Sequence, residues 1–282
     1  MNWGKNSYEQ KIEKNTVQET LIIPLYSRKI AKEKFPNLIG DKTSDYIIDK
    51  IDYDFSQKEK YFNSAIGLYG ALEVAQREFD LEYEIKEYLK KREEASIVNL
   101  GCGLNDLFSR VNNGKCKGYN LDFEEVIKTR EELLEKSKNE FNIACDLNDY
   151  SWFEKIEKDK GVIFVASGVF YYLKKEEVKN LFVKMAEYFK FGALAFDTCN
   201  KKGLKMLLKL LKTIDMKDIG SYFCISDNLE ELKSWSNNFE NVSSKSYMNG
   251  YRKLKDIRLL YKILNILTDK IFNMQIVKIE FK

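Results

Sequence analysis

The chain has 282 residues and not one histidine. This absence excludes nucleophilic mechanisms that depend on a Ser-His or Cys-His pair, and it excludes a histidine general base. Any proton transfer would have to use carboxylates, tyrosines, lysines or a reactive cofactor. Five cysteines are present without a CxxC pair, so we expect free thiols and no metal site.

Proline and long apolar runs are also scarce. Two prolines and no Gly/Ser-rich tract argue against a long flexible linker. No apolar stretch approaches the roughly 20 residues that a membrane helix needs, and residues 1–15 lack the apolar segment of a secretion signal. These features predict a cytoplasmic protein without stable membrane insertion.

Neither sign of charge dominates the composition. Lys and Arg number 47 against 44 Asp and Glu, for a net charge of +3. This balance gives no reason to expect nucleic acid as a partner. A hydrophobic content of 44% is enough for the core of one large domain, or of a domain with an appendage.

Short apolar segments alternate with helical patterns from about residue 90 onward. Seven segments are typical of strands, at 95–100, 116–121, 141–147, 161–167, 193–198, 241–248 and 275–281. The alternation predicts an α/β fold with a mostly parallel, seven-stranded sheet that helices cover on both faces. A further helix is expected at about 251–272, inserted before the last strand.

Residues 1–92 have a different, helical pattern. Thr16–Phe35 and Tyr61–Glu94 both show helical spacing of apolar residues. We expect this region to form either an extra packing layer or a lid over a site, and the pattern does not separate the two. Residues 93–282 would then form the main domain.

A glycine turn follows the first predicted strand, at Gly101 and Gly103. In an open parallel sheet the ligand binds at the carboxyl ends of the strands, and glycines there allow a sharp turn and a close approach. Asp122 lies 19 residues after Gly103, where an acid can hold ribose hydroxyls. Asp146 follows the third strand and could accept a hydrogen bond from an adenine amino group.

The turn does not fit a dinucleotide. Asp106 stands where the G-x-G-x-x-G motif needs its third glycine, and its charge would oppose a pyrophosphate. S-adenosylmethionine has a ribose, no phosphate and a positive sulfonium, so it suits a glycine turn followed by two acids. We therefore predict S-adenosylmethionine as the cofactor, with a nicotinamide-dependent enzyme as a weaker alternative.

Four segments in order carry a family resemblance: VNLGCGLNDLFSRV, YNLDFEEVIKTREELL, ACDLNDYSWFEKI and VASGVFYYLKKEEVKNLFVKMAEYF. Together they resemble the leucine carboxyl methyltransferase family, and more closely its bacterial branch of polyketide-synthesis O-methyltransferases. Residues 21–55 extend the resemblance. It implies a Rossmann-like class I methyltransferase fold with an N-terminal helical lid. It also implies that S-adenosylmethionine binds at Gly101, Gly103, Asp122, Asp146 and Leu147.

Three positions depart from the pattern of that family. Asn105 replaces the usual aspartate after the glycines, and Ser167 replaces the usual glutamate after the fourth strand. Ala75 stands where the family has an arginine that pairs with the cofactor's carboxylate. Two outcomes are expected: Arg77, or else Arg28 in the first helix, takes over that pairing, or cofactor binding is weakened. Ser167 stays among the expected cofactor contacts.

The predicted reaction is methyl transfer to a carboxylate or an acidic hydroxyl of a small molecule. A carboxylate is already ionised at neutral pH, whereas an ordinary phenol benefits from a base. Tyr171 and Tyr172 follow the fourth strand and could orient the acceptor, although packing of the next helix is the commoner role. A catalytically weakened S-adenosylmethionine-binding protein on the same fold is the alternative. The sequence names neither the acceptor nor a partner protein.

Overall fold

A seven-stranded sheet forms the centre of the molecule. The structure, a computed structural model, describes residues 10–11, 17–36, 41, 43–213, 222–246, 250–251 and 257–282. The strands are β1 (Ser96–Leu100), β2 (Lys117–Asp122), β3 (Glu140–Ala144), β4 (Val162–Ala166), β5 (Ala193–Thr198), β6 (Phe239–Ser246) and β7 (Gln275–Phe281).

The strand order across the sheet is 3-2-1-4-5-7-6. Strand β7 runs antiparallel to β5 and β6, and the other neighbouring pairs are parallel. The predicted mostly parallel, seven-stranded sheet is therefore confirmed, with strand ends that differ from prediction by up to three residues. Successive strands are added to one side of β1 up to β3 and to its other side from β4 onward, so the strand order reverses between β1 and β4. Open α/β sheets bind their ligands at this reversal.

The central strands are buried on both faces. Every residue of β1 and β4 is buried, as expected for parallel strands between two layers of helices. One face packs against Trp152 and Phe182, and the other packs against Leu81 and Ile85. The core therefore holds the carboxyl ends of β1, β2 and β4 in fixed positions beside one another.

Ten α-helices surround the sheet in the part of the chain that the structure describes. They are α1 (Val17–Lys34), α2 (Ser44–Lys50), α3 (Ser56–Phe62), α4 (Ala65–Lys91), α5 (Leu107–Val111), α6 (Glu124–Leu133), α7 (Lys175–Tyr188), α8 (Lys201–Thr213), α9 (Leu229–Lys233) and α10 (Leu259–Phe272). Two strands of two residues each, Gln10–Lys11 and Ile51–Asp52, pair in parallel as a second sheet. None of the described helices is both long and apolar enough to cross a membrane.

Most of the segment Tyr61–Glu94, predicted to be helical, is helical, and the structure divides it between two helices. Helix α3 ends at Phe62 and α4 begins at Ala65, because the Ser64 hydroxyl accepts a hydrogen bond from the Gly67 amide at 3.1 Å and caps a new helix. The predicted inserted helix is found as α10, which begins at Leu259. Residues 252–256, which the prediction also included, lie outside the described residues.

Helix α4 joins the helical layer to the sheet. Its first half packs with α1, α3 and α10 through Leu72, Ala75 and Tyr261, and its second half packs under the sheet through Ile85 and Leu89. A domain boundary near residue 92 and a lid function for residues 1–92 remain predictions. The arrangement places α1 beside the carboxyl edge of the sheet, where it contributes to the walls of two cavities.

Candidate functional site

A cavity of about 240 Å³ opens at the carboxyl edge of the sheet, beside the β1 and β4 ends. It is lined by all eight residues that the sequence predicts for cofactor binding: Arg28, Arg77, Gly101, Gly103, Asp122, Asp146, Leu147 and Ser167. These residues come from six separate regions of the chain. Their role in binding remains a prediction, but the fold brings them to one place.

Asp122 fixes the glycine turn to the end of β2. The Gly103 amide donates to Asp122 Oδ2 at 2.8 Å, and the Phe123 amide donates to Oδ1 at 2.9 Å. Burial raises the pKa of Asp122, and the two amide donors oppose this shift. Because a carboxylate has about four acceptor positions, Asp122 can still accept hydrogen bonds from a ligand.

Both glycines of the turn have backbone angles that favour glycine, with φ of +59° at Gly101 and +49° at Gly103. At Gly101 there is a second constraint. A Cβ atom there would lie 2.6 Å from Cγ2 of Val169, so the close neighbour of this glycine is a side chain of the protein itself. Packing against the loop after β4 therefore requires Gly101 whether or not a ligand approaches it.

Arg77 lines the cavity beside Asp197, at the end of β5, and Gly168, in the loop after β4. Its Nη1 donates to Asp197 Oδ2 at 3.1 Å, and the Gly168 amide donates to the other oxygen of Asp197 at 2.6 Å. The Asp197 side chain is 1% exposed. A Cβ at Gly168 would come within 3.2 Å of Arg77 Nη1, so the glycine leaves room for the guanidinium. Asp197 thus orients Arg77 toward the cavity.

Arg28 reaches the same cavity from α1 but has close partners of its own. Its three nitrogens donate to Asp41 at 3.0 Å, to Glu78 at 3.4 Å and to the Leu104 carbonyl at 3.0 Å. The side chain is 3% exposed. Burial alone would raise the pKa of Asp41, but Arg28 and two backbone amides outweigh it and lower that pKa.

A buried group of acids and arginines, here termed the acid–arginine cluster, supports the loop after β1. It consists of Arg28, Asp41, Glu78, Glu82, Asp106 and Arg110. Arg110 donates to Glu82 at 2.6 Å and to Glu78 at 2.9 Å, and it also pairs with Asp106. Burial disfavours the charge of Arg110, but these three acids together raise its pKa.

Two of the departures from the family pattern have a packing explanation. Asn105 Nδ2 donates to Glu78 at 3.1 Å, while its Oδ1 accepts from Arg110 at 2.9 Å. An ionised aspartate could not donate to Glu78, so the amide fits this cluster better. Ala75 is fully buried in the core of the helical layer, where an arginine would place a charge among apolar side chains.

Asn99 and Phe123 are among the lining residues that the sequence analysis missed. Asn99 lies on β1 and is 5% exposed, and its Nδ2 has no hydrogen-bond partner within the described part of the chain. A polar residue inside an apolar strand was the available signal. Phe123 directly follows Asp122 and is 50% exposed, and its exposure could not be read from the sequence.

A second cavity, of about 200 Å³, adjoins the first. The two share Pro24, Arg77, Ser167, Gly168 and Tyr172. Of these two cavities, Tyr171 lines the second and is 5% exposed, whereas Tyr172 lines both. A role of either tyrosine in orienting an acceptor stays a prediction.

The strand order and the glycine turn define the class I methyltransferase fold, and solved structures agree. A DUF574 family protein from Streptomyces avermitilis matches with a TM-score of 0.60 and 10% identity, over 91% of this chain and 97% of that one. The plantazolicin methyltransferase BpumL, described in complex with SAH, matches with a TM-score of 0.51 and 16% identity, over 94% of this chain and 99% of that one. At such identities the likeness concerns the fold alone.

The sequence comparisons identify the family. The model of the leucine carboxyl methyltransferase family matches residues 30–186, and the chain belongs to this family. The tetracenomycin polyketide synthesis O-methyltransferase TcmP of Streptomyces glaucescens is 23% identical over 183 residues. That match spans 64% of this chain and 65% of TcmP, just under two thirds of the relative's length. The predicted fold and family are confirmed.

Proposed function

We propose that the protein is an S-adenosylmethionine-dependent methyltransferase that methylates a carboxylate or an acidic hydroxyl of a small molecule. The observation that carries this proposal is the first cavity, where the glycine turn is hydrogen-bonded to Asp122 at the β1/β4 reversal. This is the place where the fold binds ligands. The family name and the O-methyltransferase relative favour the same reaction.

The cavity residues fit the separate parts of the cofactor. The Asp122 carboxylate would accept hydrogen bonds from the ribose hydroxyls, and Asp146 would accept one from the adenine amino group. Phe123 and Leu147 offer apolar surface for the adenine ring. The Asn99 amide, a buried donor without a described partner, suits the polar amino-acid end of the ligand. When bound, the cofactor supplies an electrophilic methyl group; the protein holds and orients it.

Arg77 is the better candidate for the cofactor's carboxylate. Each nitrogen of Arg28 already donates to the acid–arginine cluster or to the Leu104 carbonyl. Arg77 is held in place by Asp197 and lies where the two cavities meet. A buried carboxylate without a cationic partner is costly, so we propose that Arg77 provides this partner.

We expect the purified protein to bind S-adenosylhomocysteine with micromolar affinity, about −8 kcal/mol, and to bind NAD far more weakly. Isothermal titration calorimetry with both ligands measures this directly. Tighter binding of NAD would refute the cofactor assignment. Binding of S-adenosylhomocysteine without methyl transfer to any carboxylate or hydroxyl compound would instead favour the catalytically weakened alternative.

Replacing Arg77 by alanine should weaken S-adenosylhomocysteine binding about 10-fold or more, because a charge-assisted pair with its carboxylate is lost. Binding of 5′-methylthioadenosine, which lacks that carboxylate, should change much less. The matched control is Lys86→Ala, which removes an exposed cation from the same helix. Equal losses for both ligands would show that Arg77 does not recognise the carboxylate, and Arg28 would become the candidate.

A further inference from the structure

The second cavity has a mostly apolar wall with one unusual acid. Ile23, Phe62, Val74, Leu207, Leu210 and Met274 line it, together with the rings of Tyr61, Tyr171 and Tyr172. It shares Arg77, Ser167 and Gly168 with the first cavity, so a molecule held here would lie beside the cofactor in the proposed binding mode. Its walls suit a flat, apolar molecule.

The charges around this cavity leave one acid, Glu73, only partly compensated. Its charged lining residues are Glu73, Arg77 and Asp197. Arg77 and Asp197 form an ion pair with an N–O distance of 3.1 Å. Among the residues that the structure describes, no donor hydrogen bonds to the Glu73 carboxylate. Glu73 precedes Arg77 by one helical turn on the same face of α4, so its carboxylate lies near the junction of the two cavities.

The surroundings of Glu73 shift its pKa toward neutral pH. Desolvation raises the pKa of Glu73 to about 8, opposed by Arg77 and reinforced by Asp269 of α10. The groups facing it from α3 and α4 are Tyr61 and Tyr69, whose pKa values are raised by desolvation and then by Glu73 itself. A general base is most effective when its pKa lies near the working pH, and this chain has no histidine to serve.

We propose that the second cavity binds an uncharged aromatic hydroxyl compound, a phenol or an enol, and that Glu73 accepts its proton during methyl transfer. This inference rests on the proposed methyltransferase function and narrows its acceptor to a hydroxyl. When Glu73 is ionised, a carboxylate acceptor would bring a second negative charge beside it. Arg77, the cation in the lining, is already shared between Asp197 and, in the proposed binding mode, the cofactor's carboxylate. Like charges in a desolvated cavity repel strongly.

The proton and electron balance of the step is complete. A bond forms between the acceptor oxygen and the methyl carbon, the carbon–sulfur bond breaks, and its electron pair stays on sulfur. The hydroxyl proton passes to the Glu73 carboxylate and later leaves to solvent. The positive sulfonium and the negative carboxylate are thereby both neutralised, which a low-dielectric cavity favours.

The test compares two molecules with the same ring, 2-naphthol and 2-naphthoate, by calorimetry on protein saturated with S-adenosylhomocysteine. At about pH 8.5, where Glu73 is mostly ionised and naphthol mostly neutral, naphthol should bind about 10-fold or more tightly than naphthoate. At about pH 6.5 the difference should shrink, because Glu73 is then protonated. Glu73→Gln should abolish most of the difference at both pH values, by improving naphthoate binding.

The variants separate this inference from the proposed function. Glu73→Gln should bind S-adenosylhomocysteine within about twofold of the wild type, yet lose about 100-fold or more in naphthol methylation. Leu207→Trp should fill the second cavity from α8 and block naphthol binding. Its binding of S-adenosylhomocysteine should be retained.

Failure of the wild type to bind S-adenosylhomocysteine would refute the proposed function. If it binds, then equal or tighter naphthoate binding at the higher pH would overturn only the inference. Absence of naphthol binding or methylation by the wild type would overturn it too, as would full activity of Glu73→Gln.

Discussion

Replacing Arg110 by methionine is expected to lower the free energy of unfolding by about 4 kcal/mol. The Arg110 side chain is 4% exposed and donates to Glu78, Glu82 and Asp106. Removal of its charge would leave three acids close together in the interior. Breaking a buried ion network from one side is costly, because the remaining charges lose their compensation.

Urea denaturation, followed by circular dichroism, measures this loss. The matched control is Lys115→Met, which breaks an exposed ion pair with Glu93 and should cost under about 1 kcal/mol. Since the acid–arginine cluster also holds the loop after β1, the Arg110 variant should bind S-adenosylhomocysteine more weakly even where it remains folded. A loss below about 1 kcal/mol for Arg110→Met would mean that water hydrates the three acids.

Replacing Asp122 by alanine should cost about 2–3 kcal/mol of cofactor affinity, or about 30- to 150-fold in the dissociation constant of S-adenosylhomocysteine. Two effects contribute to this loss. The ribose hydroxyls lose a charged acceptor, and the Gly103 amide loses the partner that holds the turn at 2.8 Å. The free energy of unfolding should fall by less than the loss of binding free energy, because folding loses only two backbone hydrogen bonds to a side chain at the end of β2.

Calorimetry on three variants separates these two effects. Asp122→Asn keeps a neutral acceptor for the Gly103 amide and should lose less affinity than the alanine variant. Asp149→Ala removes another acid that accepts a backbone hydrogen bond, from Ser151 at 3.1 Å, but that does not line the cavity. It should stay within about twofold of the wild type. An unchanged dissociation constant for Asp122→Ala would reduce Asp122 to a structural residue of the turn.

Secondary structure and the mostly parallel character of the sheet could be predicted largely from local patterns, whereas the strand order came from the structure. Apolar runs such as Ile97–Leu100 and Val162–Ala166 are too short for helices and are separated by helical spacing. Buried parallel strands require such runs on both faces. The division of the helical segment Tyr61–Glu94 into two helices has a local cause. Apolar spacing continues across Ser64, and only its hydrogen bond with Gly67 ends one helix and starts another.

The first cavity could also be predicted in part, since its residues follow strands in sequence. Gly101, Asp122 and Asp146 come directly after three predicted parallel strands, and parallel strands end on the same edge of a sheet. Asn99 and Phe123 were missed because sequence does not state which polar or aromatic side chains remain without partners. Exposure and hydrogen bonding depend on the neighbours that the fold supplies.

The sequence by itself determined the fold class, the family and the strand ends that form the first cavity, because these depend on spacing along the chain. Only the tertiary structure decided which arginine forms an ion pair with which acid. Arg28 and Arg110 meet Glu78 across 50 and 32 residues of chain, and Arg77 meets Asp197 across 120. It also placed Glu73 in an apolar cavity formed by helices distant in sequence. Long-range pairing and desolvation arise from packing between elements, so no local pattern of residues encodes them.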